Sequence, residues 1–387
     1  MFLDVDCSIS SSPITTSCYL DVEGYRFAMM ETTSNVERTY CITFKDVEAA
    51  AGRIEGTAYR TPVLTSSSIN SKAPGIDDRQ FFFKSEAMQR TGSFKFRGAL
   101  NAIRSILESQ QNPAPSSLSV VTHSSGNHAQ ALALAAKLSS NTKTKVHATI
   151  VMPQNTPLVK KNAVQAFGAD IVMVESTNEA REEEADRIVA ETGATFVHPS
   201  EDPRVIAGQG TVCLELVQQV KEMGAELDAV IIPVGGGGLA SGNLVALRAL
   251  LGTRVKIVLA EPAVLDDAKR SFEAKELLKH ASDNMLDSVA DGLKTTLGPN
   301  TWPIVRDLAD DIFIVTENEI LQATKLVWER LKVCIEPSAG VGVAVALSEE
   351  FSQKYSSNQG IRNVGVILCG GNVDVLKIAT RMQAIGL

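Results

Sequence analysis

The stretch Thr91-Gly92-Ser93-Phe94-Lys95-Phe96-Arg97-Gly98-Ala99 sets a lysine between two phenylalanines. Such neighbours suit a half-buried pocket, where desolvation disfavours the ammonium and lowers its pKa. An amine tuned in that way can form a Schiff base with an aldehyde cofactor. The same window also reads as a surface lysine on an amphipathic helix, with Phe94 and Phe96 as core contacts. Three further stretches could each hold an anion or a planar ring: Ser124-Ser125-Gly126-Asn127-His128, Gly235-Gly236-Gly237-Gly238 and Cys369-Gly370-Gly371-Asn372.

The glycine run falls between an expected strand and an expected helix. Without Cβ atoms, its backbone N–H groups can converge on a phosphate, helped by the start of the following helix. A dinucleotide site would want GxGxxG and an acid about twenty positions on. Glu261 lies near that spacing, but the unbroken run lacks the pattern, so a phosphate cup is preferred to a dinucleotide site or a merely tight turn. Ser125, between a strand end and a helix start, reads by itself as an N-cap.

These stretches need a sizeable scaffold, and 387 residues with 44% hydrophobic content can supply one. A net charge of -8, with no Lys/Arg-rich run to offset it, argues against a nucleic-acid partner. No apolar run reaches membrane-spanning length, and the acidic start Met1-Phe2-Leu3-Asp4-Val5-Asp6 makes a poor secretory signal. Six scattered cysteines (Cys7, Cys18, Cys41, Cys213, Cys334, Cys369) fit free thiols in a reducing, cytoplasmic setting.

Residues 1–39 are Ser/Thr-rich, lack clear periodicity and read as a mobile extension. A helix is expected from Thr43, a break at Arg60-Thr61-Pro62, and a turn or N-cap at Thr65-Ser66-Ser67-Ser68. Phe81 to Lys84 reads as a buried strand, Gly98 to Leu107 as a helix, and the turn-rich Gln111 to Ser116 as a domain crossing. From Leu118 to Val197, strands alternate with helices, which implies a parallel sheet. The expected division is a large domain over 40–115 and 202–387, with a small nested α/β domain over 116–201. In the returning part, strands are expected at Ala229–Val234, Lys256–Ala260, Asp311–Val315 and Val364–Leu368. Thr316-Glu317-Asn318-Glu319 carries a capping-box pattern.

Taken together, Ser93-Phe94-Lys95, Thr122 to His128, Ala207 to Gly210, the glycine run, Ile335 to Gly342 and Cys369 to Asn372 resemble the pyridoxal phosphate enzymes of the tryptophan-synthase β fold (fold type II). Among these they are most similar to the serine racemases and their serine/threonine dehydratase relatives. The resemblance runs from about Tyr40 to the C-terminus. It implies an α/β fold of two parallel-sheet domains with helices on both faces. It also implies racemisation of serine, with β-elimination to pyruvate and ammonia as a second activity. A dedicated L-serine/L-threonine dehydratase is the runner-up, aspartate racemisation ranks lower, and a non-catalytic ligand-binding protein ranks last.

The resemblance also distributes roles. Lys95 is the Schiff-base lysine and one acid/base; Ser125 is the other, on the opposite ring face. Phe94, Asn127, Gly235, Gly236, Gly237, Gly238 and Cys369 hold the cofactor, with Asn127 at the 3-hydroxyl and Cys369 at the pyridine nitrogen. Cys369 departs from the usual racemase serine and is found in liver-type dehydratases; a thiol partner leaves that nitrogen unprotonated. Ser124, Ser125, Asn127 and His128 face the substrate, while Arg181, Asp291 and Lys294 shape its far end. Arg181 reads equally well as part of a solvated face. Glu201, in the loop Ser200-Glu201-Asp202, is expected to repel a second substrate carboxylate. Glu261, the Leu265 carbonyl and Asp267 match a structural Mg²⁺ or Ca²⁺ site. Ser66, Ser67, Arg90, Thr91, Arg330, Lys332 and Asn372 match an ATP effector site between subunits, which implies a homodimer. Phe167 stands there where a tyrosine is common.

Overall fold

The computed structural model of the chain describes residues 18–22, 25–29, 40–75, 78–110, 115–281, 288–356 and 359–387. Its strands are β1 (Cys18–Val22), β2 (Tyr25–Met29), β3 (Val63–Leu64), β4 (Gln80–Ser85), β5 (Ser117–His123), β6 (Lys145–Pro153), β7 (Asp170–Val174), β8 (Thr195–Phe196), β9 (Ala229–Pro233), β10 (Lys256–Pro262), β11 (Asp311–Val315) and β12 (Asn363–Leu368).

Two sheets carry the architecture. One runs β11-β10-β9-β12-β4-β3, with every neighbouring pair parallel except β3 with β4. The other runs β7-β6-β5-β8, all parallel, and is built wholly from the stretch between Ser117 and Phe196. Parallel sheets must be covered on both faces, so their strands read as continuous apolar runs. Ala229-Val230-Ile231-Ile232-Pro233 and Phe81-Phe82-Phe83 are buried throughout. The main core packs on the six-stranded sheet, and separate clusters pack on the four-stranded one. The strands β4, β9, β10 and β12 share one direction, so their C-terminal ends and the loops that follow lie along one edge. Parallel sheets gather their sites along that edge.

Two local readings differ from the sequence expectations. The helix placed from Gly98 starts at Lys95 and runs to Ser109, so the lysine itself opens the helix. The Phe-Lys-Phe alternation hid this, because Phe96 faces the core of the smaller sheet while Phe94 faces the larger one. Within the segment read as an aperiodic extension, β1 and β2 pair antiparallel from Cys18 with Met29 to Val22 with Tyr25. Tyr19, Val22, Tyr25 and Phe27 are strand-favouring types that the count of serines and threonines obscured. The mobility expected of residues 1–39 otherwise lies outside the described residues, as do residues 111–114 of the expected domain crossing. Cys41, Cys213, Cys334 and Cys369 are free thiols.

Candidate active site

Four chain segments are tied together at the edge where the parallel strands end. After β4 the chain passes through two short 3₁₀ turns into Thr91 and Gly92, both left-handed, with φ of 59° and 71°. Gly92 is required there: a Cβ would stand 2.6 Å from Asn372 Oδ1. The turn aims Ser93 and Phe94 back at the end of β12. Ser93 bridges Gly370, Phe94 N donates to Cys369 O at 3.1 Å, and Gly371 N donates to Gly92 O at 2.9 Å. Glu336 N donates to Gly370 O at 3.0 Å, which brings in the start of the helix Pro337–Ala346.

Lys95 follows at once. It is half-buried, and its Nζ donates to the Pro199 carbonyl at 2.8 Å and lies 5.1 Å from the Phe94 ring centroid. Desolvation holds the amine down to about 8, with Cys369 and Glu336 acting in the opposite direction. Of the two readings of this lysine, the structure favours the half-buried amine.

The helix beginning at Lys95 is braced by a buried ionic network. Arg97 donates to both oxygens of Glu86 at 2.8 Å and to both of Glu215 at 2.6 and 2.8 Å. Lys84, fully buried on β4, reaches Glu215 at 2.5 Å, Gln219 at 2.7 Å and the Thr61 carbonyl at 2.8 Å. Such a network holds its elements in one arrangement, because leaving any member unpaired in the interior is costly.

Gly235 to Gly238 join β9 to the helix Gly238–Leu251, whose N-cap Gly237 has φ of 78°. No side chain fits in this loop. A Cβ on Gly236 would stand 2.6 Å from Ser200 Oγ and 3.0 Å from Thr295 Oγ1, and one on Gly235 would stand 2.8 Å from Leu293 Cα. Gly236 N donates to Thr295 Oγ1 at 3.0 Å. Ser200 and Thr295 therefore wall the loop with hydroxyl groups, a contribution invisible in the sequence because both lie far from it along the chain.

Ser124 and Ser125 follow the end of β5, and Asn127 opens the helix Asn127–Ser139. Gly126 N donates to Ser124 Oγ at 3.3 Å. Asn127 donates from Nδ2 to both oxygens of Glu336 at 3.0 and 3.1 Å, while its Oδ1 accepts from Asn372 at 2.8 Å. His128 is buried, with Nε2 3.3 Å from the Val197 carbonyl, and burial beside Lys95 keeps its pKa well below the usual imidazole value. Cys369 is buried, and desolvation and then Glu336 push its thiol well above the ordinary range, so it stays neutral.

Glu336 is absent from the sequence-derived set. Burial lifts its carboxyl to about 7, against the pull of the Asn127 amide. It also lies beside Gly292 and Gly370, where an added Cβ would meet its oxygens at 3.2 and 2.8 Å. An acid immediately before the largely apolar helix Pro337-Ser338-Ala339-Gly340-Val341, which is buried throughout, was the available signal.

Other expected site residues are arranged differently. Arg181 is held by the Thr177 carbonyl and Asn178 at the start of its own helix, and its charge is felt at His123. Asp291 is exposed and pairs with Lys294 at 3.1 Å. Glu201 spends its carboxylate on Asn300 N at 2.7 Å and Thr301 Oγ1 at 2.7 Å, so its charge is absorbed in the 298–301 turn. His198 accepts two backbone N–H groups at Nδ1, and burial depresses it to about 4.

Glu261 and Asp267 are both buried, at the end of β10 and the start of the helix Asp267–Ala274, with Leu265 buried between them. Desolvation and Asp267 raise Glu261 well above the carboxylate range, although its oxygens accept Ala268 N and Lys269 N at 3.0 and 2.9 Å. Among the described residues, no three His, Cys, Asp or Glu side chains already stand as a metal-ligand set. Of the expected nucleotide residues, Thr91 O accepts from Asn372 at 2.7 Å, and Arg90 lies over the Tyr59 ring at 4.4 Å with Nε bonded to Thr57 O at 2.6 Å. Ser66 precedes the short helix Ser67–Asn70, which packs against the helix Glu317–Arg330 that leads to Lys332.

The sequence profile of the family described as pyridoxal-phosphate dependent enzyme matches residues 54–370. The chain belongs to this pyridoxal-phosphate dependent enzyme family. It is 48% identical over 345 residues to the serine racemase of Rattus norvegicus, spanning 89% of this chain and 97% of that protein. The crystal structure of the Dictyostelium discoideum serine racemase superposes with a TM-score of 0.77 at 43% identity, covering 86% of this chain and 99% of that one. A crystal structure of threonine deaminase from T.th. superposes with a TM-score of 0.76 at 37% identity, covering 86% of this chain and 99% of that one. The fold is that of the fold type II enzymes. No helix among the described residues is long and apolar enough to cross a membrane.

Proposed function

We propose that this enzyme interconverts L- and D-serine and, as a second activity, eliminates water from serine to give pyruvate and ammonia. The observation that carries this reading is the Lys95 amine, half-buried, bonded to a carbonyl at 2.8 Å and lowered to about 8. It is supported by the likeness to the rat and Dictyostelium serine racemases, with the threonine deaminase likeness favouring the elimination.

The residues fit pyridoxal phosphate. The glycine loop leaves room only for backbone and leads straight into a helix start, the combination that an anion site uses. The buried neutral thiol of Cys369 suits an unprotonated ring nitrogen. Asn127, fixed by Glu336 and Asn372, suits a ring hydroxyl. When bound, the cofactor supplies the aldehyde that captures the substrate amine and the ring that delocalises charge from its α-carbon.

Lys95 removes or returns the α-proton on one face, and Ser125 does so on the other. Proton removal and return on opposite faces inverts serine; expulsion of the β-hydroxyl instead leads to pyruvate and ammonia. A lysine at about 8 holds an appreciable uncharged fraction at neutral pH, which a general base needs. Ser124 and His128 stand on the substrate side of Asn127. Arg181 and Asp291 border its far end less directly. Since Glu201 is engaged elsewhere, preference for serine over aspartate rests on the relatives rather than on repulsion.

We extend the reading to a large domain over 40–115 and 202–387 with a nested one over 116–201. A divalent cation at Glu261, Leu265 and Asp267 would neutralise two buried acids. ATP as an effector near Ser66, Ser67, Arg90, Thr91, Arg330, Lys332 and Asn372, a homodimer, and a cytoplasmic location complete it. Purified protein incubated with L-serine should produce both D-serine and pyruvate. Pyruvate alone would leave the dedicated dehydratase, and neither product would remove the reading.

A further inference from the structure

His280 took no part in the sequence reading, yet it stands against the buried acids at the end of β10. Its side chain is 9% exposed and that of Asp267 2%. Nε2 lies 3.2 Å from the Lys294 carbonyl oxygen. A carbonyl only accepts, so that contact places a proton on Nε2, and Nδ1 is the ring atom that faces the acids. Nδ1 in turn lies 3.1 Å from Asp267 Oδ1, without hydrogen-bond geometry. The other oxygen, Oδ2, is turned to Leu297 N at 3.3 Å. A nitrogen and an oxygen thus face each other in the interior, near a second buried carboxylate, Glu261.

That spacing is what one cation would impose on two neighbouring ligands. With bonds of about 2.0–2.2 Å at a right angle, adjacent donor atoms stand roughly 2.8–3.1 Å apart. We infer that His280 is a nitrogen ligand of the cation site and that it biases the site toward an imidazole-tolerant dication such as Mn²⁺ over Ca²⁺. The inference rests on the cation reading above and sharpens it, since oxygen donors alone suit Mg²⁺, Ca²⁺ or Mn²⁺, and an added imidazole favours the transition ion among these.

The test uses the holoenzyme, freed of divalent ions by chelation and loaded with one equivalent of Mn²⁺. Pulsed EPR should show the ¹⁴N modulation of a directly bound imidazole. In His280→Gln, Mn²⁺ should still bind, about tenfold or more weakly, with that modulation gone and the Ca²⁺ affinity moved by less than about threefold. In Asp267→Asn both binding and modulation should be lost. Mn²⁺ bound by the unaltered enzyme without ¹⁴N modulation would overturn the assignment of His280 while sparing the cation site; the pair would then be an ion pair of protonated histidine with Asp267. No Mn²⁺ binding at all would overturn both. The unaltered enzyme decides even if a variant fails to fold, and retained cofactor absorbance reports folding of the variants independently.

Discussion

Replacing Glu336 by glutamine removes a buried charge while keeping an acceptor for the Asn127 amide. In the folded chain this carboxyl titrates at about 7, against an ordinary value of 4.5. At 1.36 kcal/mol per pKa unit, the linkage comes to roughly 3 kcal/mol. A raised folded value means that the folded chain binds the proton more tightly. The associated stability is therefore fully present below about 4.5 and is lost as pH climbs through about 7. With an unfolding entropy of about 2.1 cal/mol/K per residue, 3 kcal/mol corresponds to about 4 °C in Tm for a chain of this length. The assay is thermal unfolding of cofactor-free protein at pH 5 and pH 8.5. Glu336→Gln should exceed the unaltered protein by only about 1 °C at pH 5 and by about 4 °C at pH 8.5. Other groups titrate alike in both proteins and cancel. An equal gap at the two pH values, or a variant that is less stable only at pH 8.5, would refute the reasoning.

Two further substitutions probe the site's frame. Gly236→Ala places a methyl 2.6 Å from Ser200 Oγ and 3.0 Å from Thr295 Oγ1; overpacking of about 1–3 kcal/mol should weaken cofactor binding about tenfold or more, read by titrating cofactor-free protein, and unchanged affinity would count against the phosphate cup. Arg97→Leu strands the buried Glu86 and leaves Glu215 to Lys84 alone, and should cost about 3–5 kcal/mol, visible as a fall in Tm; an unchanged Tm would show that the network does not brace the Lys95 helix.

What the sequence disclosed was local chemistry. Lys95 between two phenylalanines, the glycine run after an apolar strand, and Ser124 to His128 at a strand-to-helix turn each carry their meaning within a few residues. The alternation of strands and helices from Leu118 to Val197 likewise foreshadows the four-stranded parallel sheet, because each apolar run there is a strand. What stayed hidden depends on residues far apart in the chain. Ser200 and Thr295 wall the glycine loop only because three segments meet there. Lys84, in a run of phenylalanines, gave no hint that Glu215 and Gln219 would reach it across 131 and 135 positions. Glu201 reads in the sequence as a charge facing the substrate, but the 298–301 turn claims it. Its partners could not be read from spacing, just as the partners of Glu336 and His280 could not.

The central claim is that Lys95 is the residue that carries the cofactor. Purified enzyme should absorb at roughly 410 nm, as lysine-bound pyridoxal phosphate does. Borohydride reduction followed by peptide mapping should place the label on Lys95, and Lys95→Ala should lose both the band and the label. A label on another lysine, or a band that survives in Lys95→Ala, would contradict the account.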